Sequence, residues 1–211
     1  MKIVIFDMDG TLIDSARDIT ISVNEVRRVN HRLDELSEAF IVEAINREQR
    51  NLAKLFYGTE EYEQSDKLLF EEHYHVQCTQ NVRLYEGVEE SINALLKKEV
   101  RLSVATNAPT KFACRMLEAC GVSHAFDFIV GADMVDKPKP DKEMLEYILA
   151  QYGYRKEHTA WMVGDNSKDM QAAEHAGIDS AFATWGFSPQ SQHDISLASP
   201  LEIIEFFDDV Y

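Results

Sequence analysis

Five short apolar runs, most of them closing on a polar residue, constrain this chain more than any other feature. They are KIVIFD (Lys2 to Asp7), RLSVATN (Arg101 to Asn107), DFIVGAD (Asp127 to Asp133), AWMVGD (Ala160 to Asp165) and SAFATW (Ser180 to Trp185). Runs this short and this apolar read as strands buried on both faces. Between the last four lie stretches with helical periodicity, Thr110 to Cys120, Lys142 to Gln151 and Ser167 to Ala176, the first and last of them stopped by Gly121 and Gly177. Strands alternating with helices predict an α/β fold, a Rossmann-like parallel sheet with helices on both faces.

The first run breaks this rhythm. About 70 helical-looking residues separate it from the next strand, far more than an ordinary connection holds. The stretch is rich in charge, carries apolar residues at helical spacing (Leu52, Leu55, Phe56) and shows no convincing strand. The expected organisation is therefore an α/β core of residues 1–14 and 84–211, with a small α-helical cap, residues 15–83, inserted after the first strand. Gly87 and Val88 open a helix over Glu89 to Lys98 that leads back into the sheet.

A formal charge of −16 argues against a nucleic-acid polymer or an anionic membrane surface as partner, since both demand clustered Lys and Arg. No segment approaches the ~18 uninterrupted apolar residues of a membrane span, and the opening run is too short for a signal-peptide core. The three cysteines, Cys78, Cys114 and Cys120, lack C-x-x-C spacing and read as reduced thiols. The seven histidines show no zinc spacing. A cytoplasmic protein, monomer or homodimer, is the expectation.

Polar residues gather at the carboxyl ends of the strands: Asp7 and Asp9, Thr106 and Asn107, Asp165 and Asp169. In open α/β sheets that edge binds ligands. Several carboxylates brought into one crevice need a cation, and hard oxygen donors without His or Cys favour Mg²⁺.

The segments DMDGT (Asp7 to Thr11), VATN (Val104 to Asn107), KPKP (Lys137 to Pro140) and GDNSKD (Gly164 to Asp169) resemble, in order, the four motifs of the haloacid dehalogenase superfamily. DMDGTLIDS, the helical insert and GDNSKDMQAAEHAGI are similar to its phosphoglycolate phosphatase-like group. The resemblance implies a phosphatase acting on a small phosphorylated metabolite, such as a phosphoglycolate-like compound, a sugar phosphate or a nucleotide monophosphate. It makes Asp7 the nucleophile that becomes an aspartyl phosphate and Asp9 the acid and then the base. Gly10 would supply the sharp turn. Thr106, with the backbone N–H groups of Asn107 and Ala108, would hold a phosphoryl oxygen. Lys137 matches the family lysine, with Lys139 the nearby competitor that the Lys-Pro-x-Pro pattern disfavours. Mg²⁺ would be held by Asp7, the Asp9 carbonyl and Asp165, with Asp169 supporting from behind.

Two carboxylates two residues apart suit nucleophile and proton shuttle on chemical grounds as well. Rival readings on the same fold include a sugar phosphomutase, whose fourth motif usually departs from GDxxxD, and a binding protein that has lost catalysis, in which a reacting group would be expected to be replaced. Selectivity is expected from the cap, where Arg47, Arg50 and Lys54 share one helical-looking stretch and Arg47 and Lys54, seven apart, fall near one face.

Overall fold

The computed structural model describes residues 1–47, 50–188, 193 and 195–210, the last three of these by backbone alone. It divides into two compact units, residues 1–14 with 84–211, and residues 15–83.

The larger unit contains strands β1 (Lys2–Phe6) and β2 (Ile13–Asp14) before the insert. The smaller unit holds helices α1 (Ala16–Val26), α2 (Glu38–Asn46), α3 (Leu52–Tyr57) and α4 (Gln64–Gln77). A π-helical turn, Arg27–His31, extends α1. After the insert come β3 (Arg83–Leu84), α5 (Val88–Lys97), β4 (Arg101–Ala105), α6 (Thr110–Ala119) and β5 (Phe128–Val130). The chain continues through α7 (Glu143–Gln151), β6 (Thr159–Gly164), α8 (Ser167–Ala176), β7 (Asp179–Ala183), β8 (Ser196–Leu197) and α9 (Glu202–Val210).

Six strands form one parallel sheet in the order β5-β4-β1-β6-β7-β8, while β2 and β3 form a separate two-stranded sheet. The α/β expectation holds. Strand β1 lies at the centre, and its alternate residues explain why it is apolar throughout. Ile3 and Ile5 pack with Met144, Leu145 and Ile148 of α7 and Ala172 and Ala173 of α8, while Val4 and Phe6 are equally buried. On α9, Phe206 and Phe207 meet the Trp161 ring of β6 edge-on at 4.9 and 5.7 Å.

Three features differ from the sequence reading, the first being that Arg47, Arg50 and Lys54 do not share one helix, since α2 ends at Asn46 and α3 begins at Leu52. The run Asp127 to Asp133 is strand only as far as Val130, because Gly131 turns the chain and a 3₁₀ turn, Ala132–Met134, follows. Strand β8, two residues long, is too short to register as an apolar run. In the smaller unit, Val23, Val26, Ile41, Ala44, Phe56 and Tyr57 form a separate core. Among the described residues no helix is long and apolar enough to cross a membrane.

Candidate active site

Topology fixes where the site lies. Counted in chain order within the six-stranded sheet, the strands run 3-2-1-4-5-6, so progression reverses between β1 and β6 and leaves a crevice beyond their carboxyl ends. Asp7 directly follows β1 and Asp165 directly follows β6. The Asp7 N–H still donates to Val163 O at 2.8 Å, so the ladder holds its backbone to the last position. One carboxylate oxygen each from Asp7, Asp165 and Asp169 lies within 4.8 Å of the others, and all three residues are buried.

The turn after β1 is shaped for this crowding. Met8 O accepts the N–H groups of Leu12 and Ile13, Gly10 N–H donates to Ile13 O at 2.9 Å, and Gly10 takes a left-handed φ of 85°. A side chain at Gly10 would be strained by that conformation and would also fall within 2.7 Å of Asp165 Cγ. Asp9, half-buried, bridges to Ile13 across this turn.

Helix α8 positions the third carboxylate, Asp169. Asn166 caps its N-terminus by accepting from Lys168 N–H, and the Asp169 Oδ2 atom accepts the Asn166 N–H at 3.1 Å, a reciprocal capping box. That fixes Asp169 one turn behind Asp165. Gly164 has no room for a side chain there, because a Cβ would lie 2.6 Å from Asp169 Cβ.

The lysine that the structure brings to these carboxylates is Lys139, where the resemblance pointed to Lys137. The Lys139 Nζ donates to Asp7 Oδ1 at 2.7 Å, to Asp169 Oδ1 at 2.6 Å and to Ala105 O at 2.6 Å, using all three ammonium protons. Burial pushes this ammonium down, but Asp169 and Asp7 outweigh it and hold it above the ordinary lysine range. Lys137 is exposed, and its backbone N–H donates to Glu143 Oε2. The physical reason is a clamp that sequence does not display. Asn107 Nδ2 donates to Lys139 O at 2.8 Å and Asn107 Oδ1 accepts Lys139 N–H at 3.1 Å, which binds the lysine loop to the end of β4.

Thr106 is buried at the end of β4, and its Oγ1 accepts the Ala108 N–H at 3.1 Å. The Ala108 N–H expected to meet a phosphoryl oxygen is thus engaged locally, while the Thr106 hydroxyl keeps a proton to donate. Asn107 itself is exposed.

Electrostatically the cluster holds three carboxylates against one ammonium. Burial, followed by repulsion from Asp7 and Asp169, pushes the Asp165 carboxyl well up, and burial pushes Asp169 up to about 6 despite Lys139. Asp165 Oδ2 accepts the Phe187 N–H at 2.7 Å, but its buried Oδ1 has no hydrogen-bond partner. An orphaned carboxylate oxygen in a surplus of negative charge, among oxygen donors only, fits a hard divalent cation.

In the smaller unit the three basic residues divide. Arg47 pairs with Glu43 at 2.8 Å and Lys54 with Glu60 at 2.6 Å, both on the surface. Arg50 donates to Arg47 O at 3.3 Å, has no carboxylate partner among the described residues, and has its guanidinium lowered by burial.

A parallel sheet with buried aspartates at its switch point and a lysine bridging two of them is an α/β fold with a charged crevice suited to a cation and an anionic ligand. Residues 4–183 match the family model described as haloacid dehalogenase-like hydrolase, and the chain belongs to that family. It is similar to the phosphoglycolate phosphatase of Colwellia psychrerythraea, 30% identical over 89% of this chain and 86% of that one. It is also similar to the N-acetylmuramic acid 6-phosphate phosphatase of Pseudomonas aeruginosa, 27% identical over 99% of this chain and 95% of that one. A crystal structure of a predicted phosphoglycolate phosphatase from Haemophilus somnus superposes with a TM-score of 0.84 at 26% identity, covering 98% of both chains. The chain is a phosphatase.

Proposed function

We propose that the protein is a Mg²⁺-dependent phosphatase that hydrolyses a small phosphorylated metabolite through an aspartyl phosphate on Asp7. The observation that carries this reading is the pairing of Asp7 with Lys139 beside the orphaned Asp165 Oδ1. Asp7 attacks phosphorus, the bond to the leaving oxygen breaks, and Asp9 gives that oxygen its proton. Asp9 then takes a proton from water as the water attacks phosphorus, which frees the Asp7 carboxylate and inorganic phosphate. Lys139 lowers the repulsion between the Asp7 carboxylate and an incoming phosphoryl group, and Thr106 offers its hydroxyl proton to a phosphoryl oxygen. Asp7, Asp165 and the Asp9 carbonyl would hold Mg²⁺, with Asp169 fixing Lys139 behind them. Bound there, the ion would offset charge on the phosphoryl oxygens.

These core groups address phosphorus and its oxygens, and relatives named for phosphoglycolate and for an N-acetylmuramic acid 6-phosphate share the fold, so the leaving group must be chosen elsewhere. We assign that choice to the helical insert, with phosphoglycolate-like compounds, sugar phosphates and nucleotide monophosphates as the classes to screen. Phosphate release from such a panel should need Mg²⁺, stop with chelator and vanish in Asp7→Asn. Turnover by Asp7→Asn within about tenfold of the parent, only ~1.4 kcal/mol of barrier, would refute the nucleophile.

A further inference from the structure

We infer that Trp185, Gly186 and Phe187, which lie outside all four motifs, form a strap that presets Asp165 to receive a divalent cation; the inference rests on the metal-dependent reading above. The strap leaves the end of β7 and is anchored on both sides. On one side, the Thr184 N–H and hydroxyl both donate to Leu197 O at 3.0 Å, which ties it to β8. On the other, the Trp185 Nε1–H donates to Thr11 O at 3.0 Å, which ties it to the turn that follows Asp7. Between these anchors the backbone presses on the carboxylate. A Cβ at Gly186 would lie 2.6 Å from both Cβ and Oδ2 of Asp165 and would overlap the Gly10 carbonyl oxygen.

The consequence is directional. The Phe187 N–H holds Asp165 Oδ2 at 2.7 Å, which fixes the rotation of the carboxylate and leaves the other oxygen, Oδ1, buried without a partner. Thr11 follows Gly10 in the turn that also carries Asp9, so the same strap holds together the two backbone segments that would supply cation ligands. A carboxylate already oriented loses little freedom on binding, and outer partners of this kind govern metal affinity. These three are positioning residues. None of them touches a reacting atom; each acts through Asp165 or through the turn after β1.

Isothermal calorimetry with MgCl₂ on the full chain tests this, comparing the parent with Gly186→Ala and Trp185→Phe, each confirmed folded by circular dichroism, and with Asp165→Asn as the variant lacking the ligand. Gly186→Ala should raise the Mg²⁺ Kd about 10- to 100-fold. Trp185→Phe keeps an aromatic ring and removes one hydrogen bond, and should raise it about two- to tenfold. In both, lost turnover should return as Mg²⁺ is raised, which a general loss of packing would not produce. Should Gly186→Ala fail to fold, Trp185→Phe carries the test. A parent that binds Mg²⁺ while Trp185→Phe binds it equally tightly overturns the strap alone. A parent that takes up no Mg²⁺ overturns the metal reading and the strap with it.

Discussion

Replacing Asp165 with Asn should make the metal-free protein more stable while destroying its response to Mg²⁺. The substitution suits the site's hydrogen bonds. The amide oxygen can accept the Phe187 N–H that now meets Oδ2, and the amide NH₂ takes the place of the unpartnered Oδ1. What disappears is a buried negative charge, penalised first by burial and then by Asp7 and Asp169. A carboxyl whose folded pKa is raised contributes most to stability while protonated, at acidic pH, and the advantage is lost as pH rises above 3.8 through the raised value. Parent and variant should therefore be close in stability near pH 4 and diverge as pH rises, the variant reaching an advantage of ~1–3 kcal/mol in chelator. With Mg²⁺ at 100 times its Kd the parent should gain about 2.7 kcal/mol and the variant nothing. For a chain of this size each kcal/mol moves the midpoint by ~2–4 °C, so calorimetric melting with chelator and with Mg²⁺ resolves both effects. A variant less stable than the parent in chelator at neutral pH, or one stabilised by Mg²⁺ as much as the parent, would refute this account of the charge balance.

Lys139→Ala should cut turnover by at least ~10³-fold, by analogy with loss of a preorganised charge at a reacting group, and should lower stability by ~3–5 kcal/mol, since it strands two buried carboxylates. Lys137→Ala should change stability by less than ~0.5 kcal/mol and leave turnover near the parent's; equal losses from the two would return the lysine assignment to the sequence pattern. Asp9→Asn should be slow at both steps yet accumulate phosphorylated Asp7 with a good leaving group, visible by intact-mass spectrometry, and no adduct under any leaving group would remove Asp9 from the second step. Arg50→Ala should lower kcat/KM for the preferred substrate by ~10- to 100-fold and spare a small generic ester, whereas equal losses on both would place Arg50 in the folding of the insert.

What the sequence disclosed and what it concealed separate along a physical line. A strand buried on both faces must be apolar, so β1, β4 and β6 are visible as runs, and the acids that end them, Asp7 and Asp165, stand out by contrast. Helix α8 is equally visible, because its capping box and its closing glycine are written in side chains. Strand order is not written anywhere locally, so the switch point that brings Asp7 beside Asp165 had to come from the structure. Which of Lys137 and Lys139 reaches the carboxylates was hidden for the same reason. Two lysines in alternating Lys-Pro steps are locally equivalent, and the difference lies in an amide clamp reaching 32 residues back to Asn107. The Phe187 N–H was hidden more deeply still, because a backbone donor has no residue type. Where such donors orient a charged group, the trace left in sequence is the small residue that lets the backbone approach. Gly186 is that trace here, and its closeness to Asp165 assigns it a role that its position after the last long strand would not suggest.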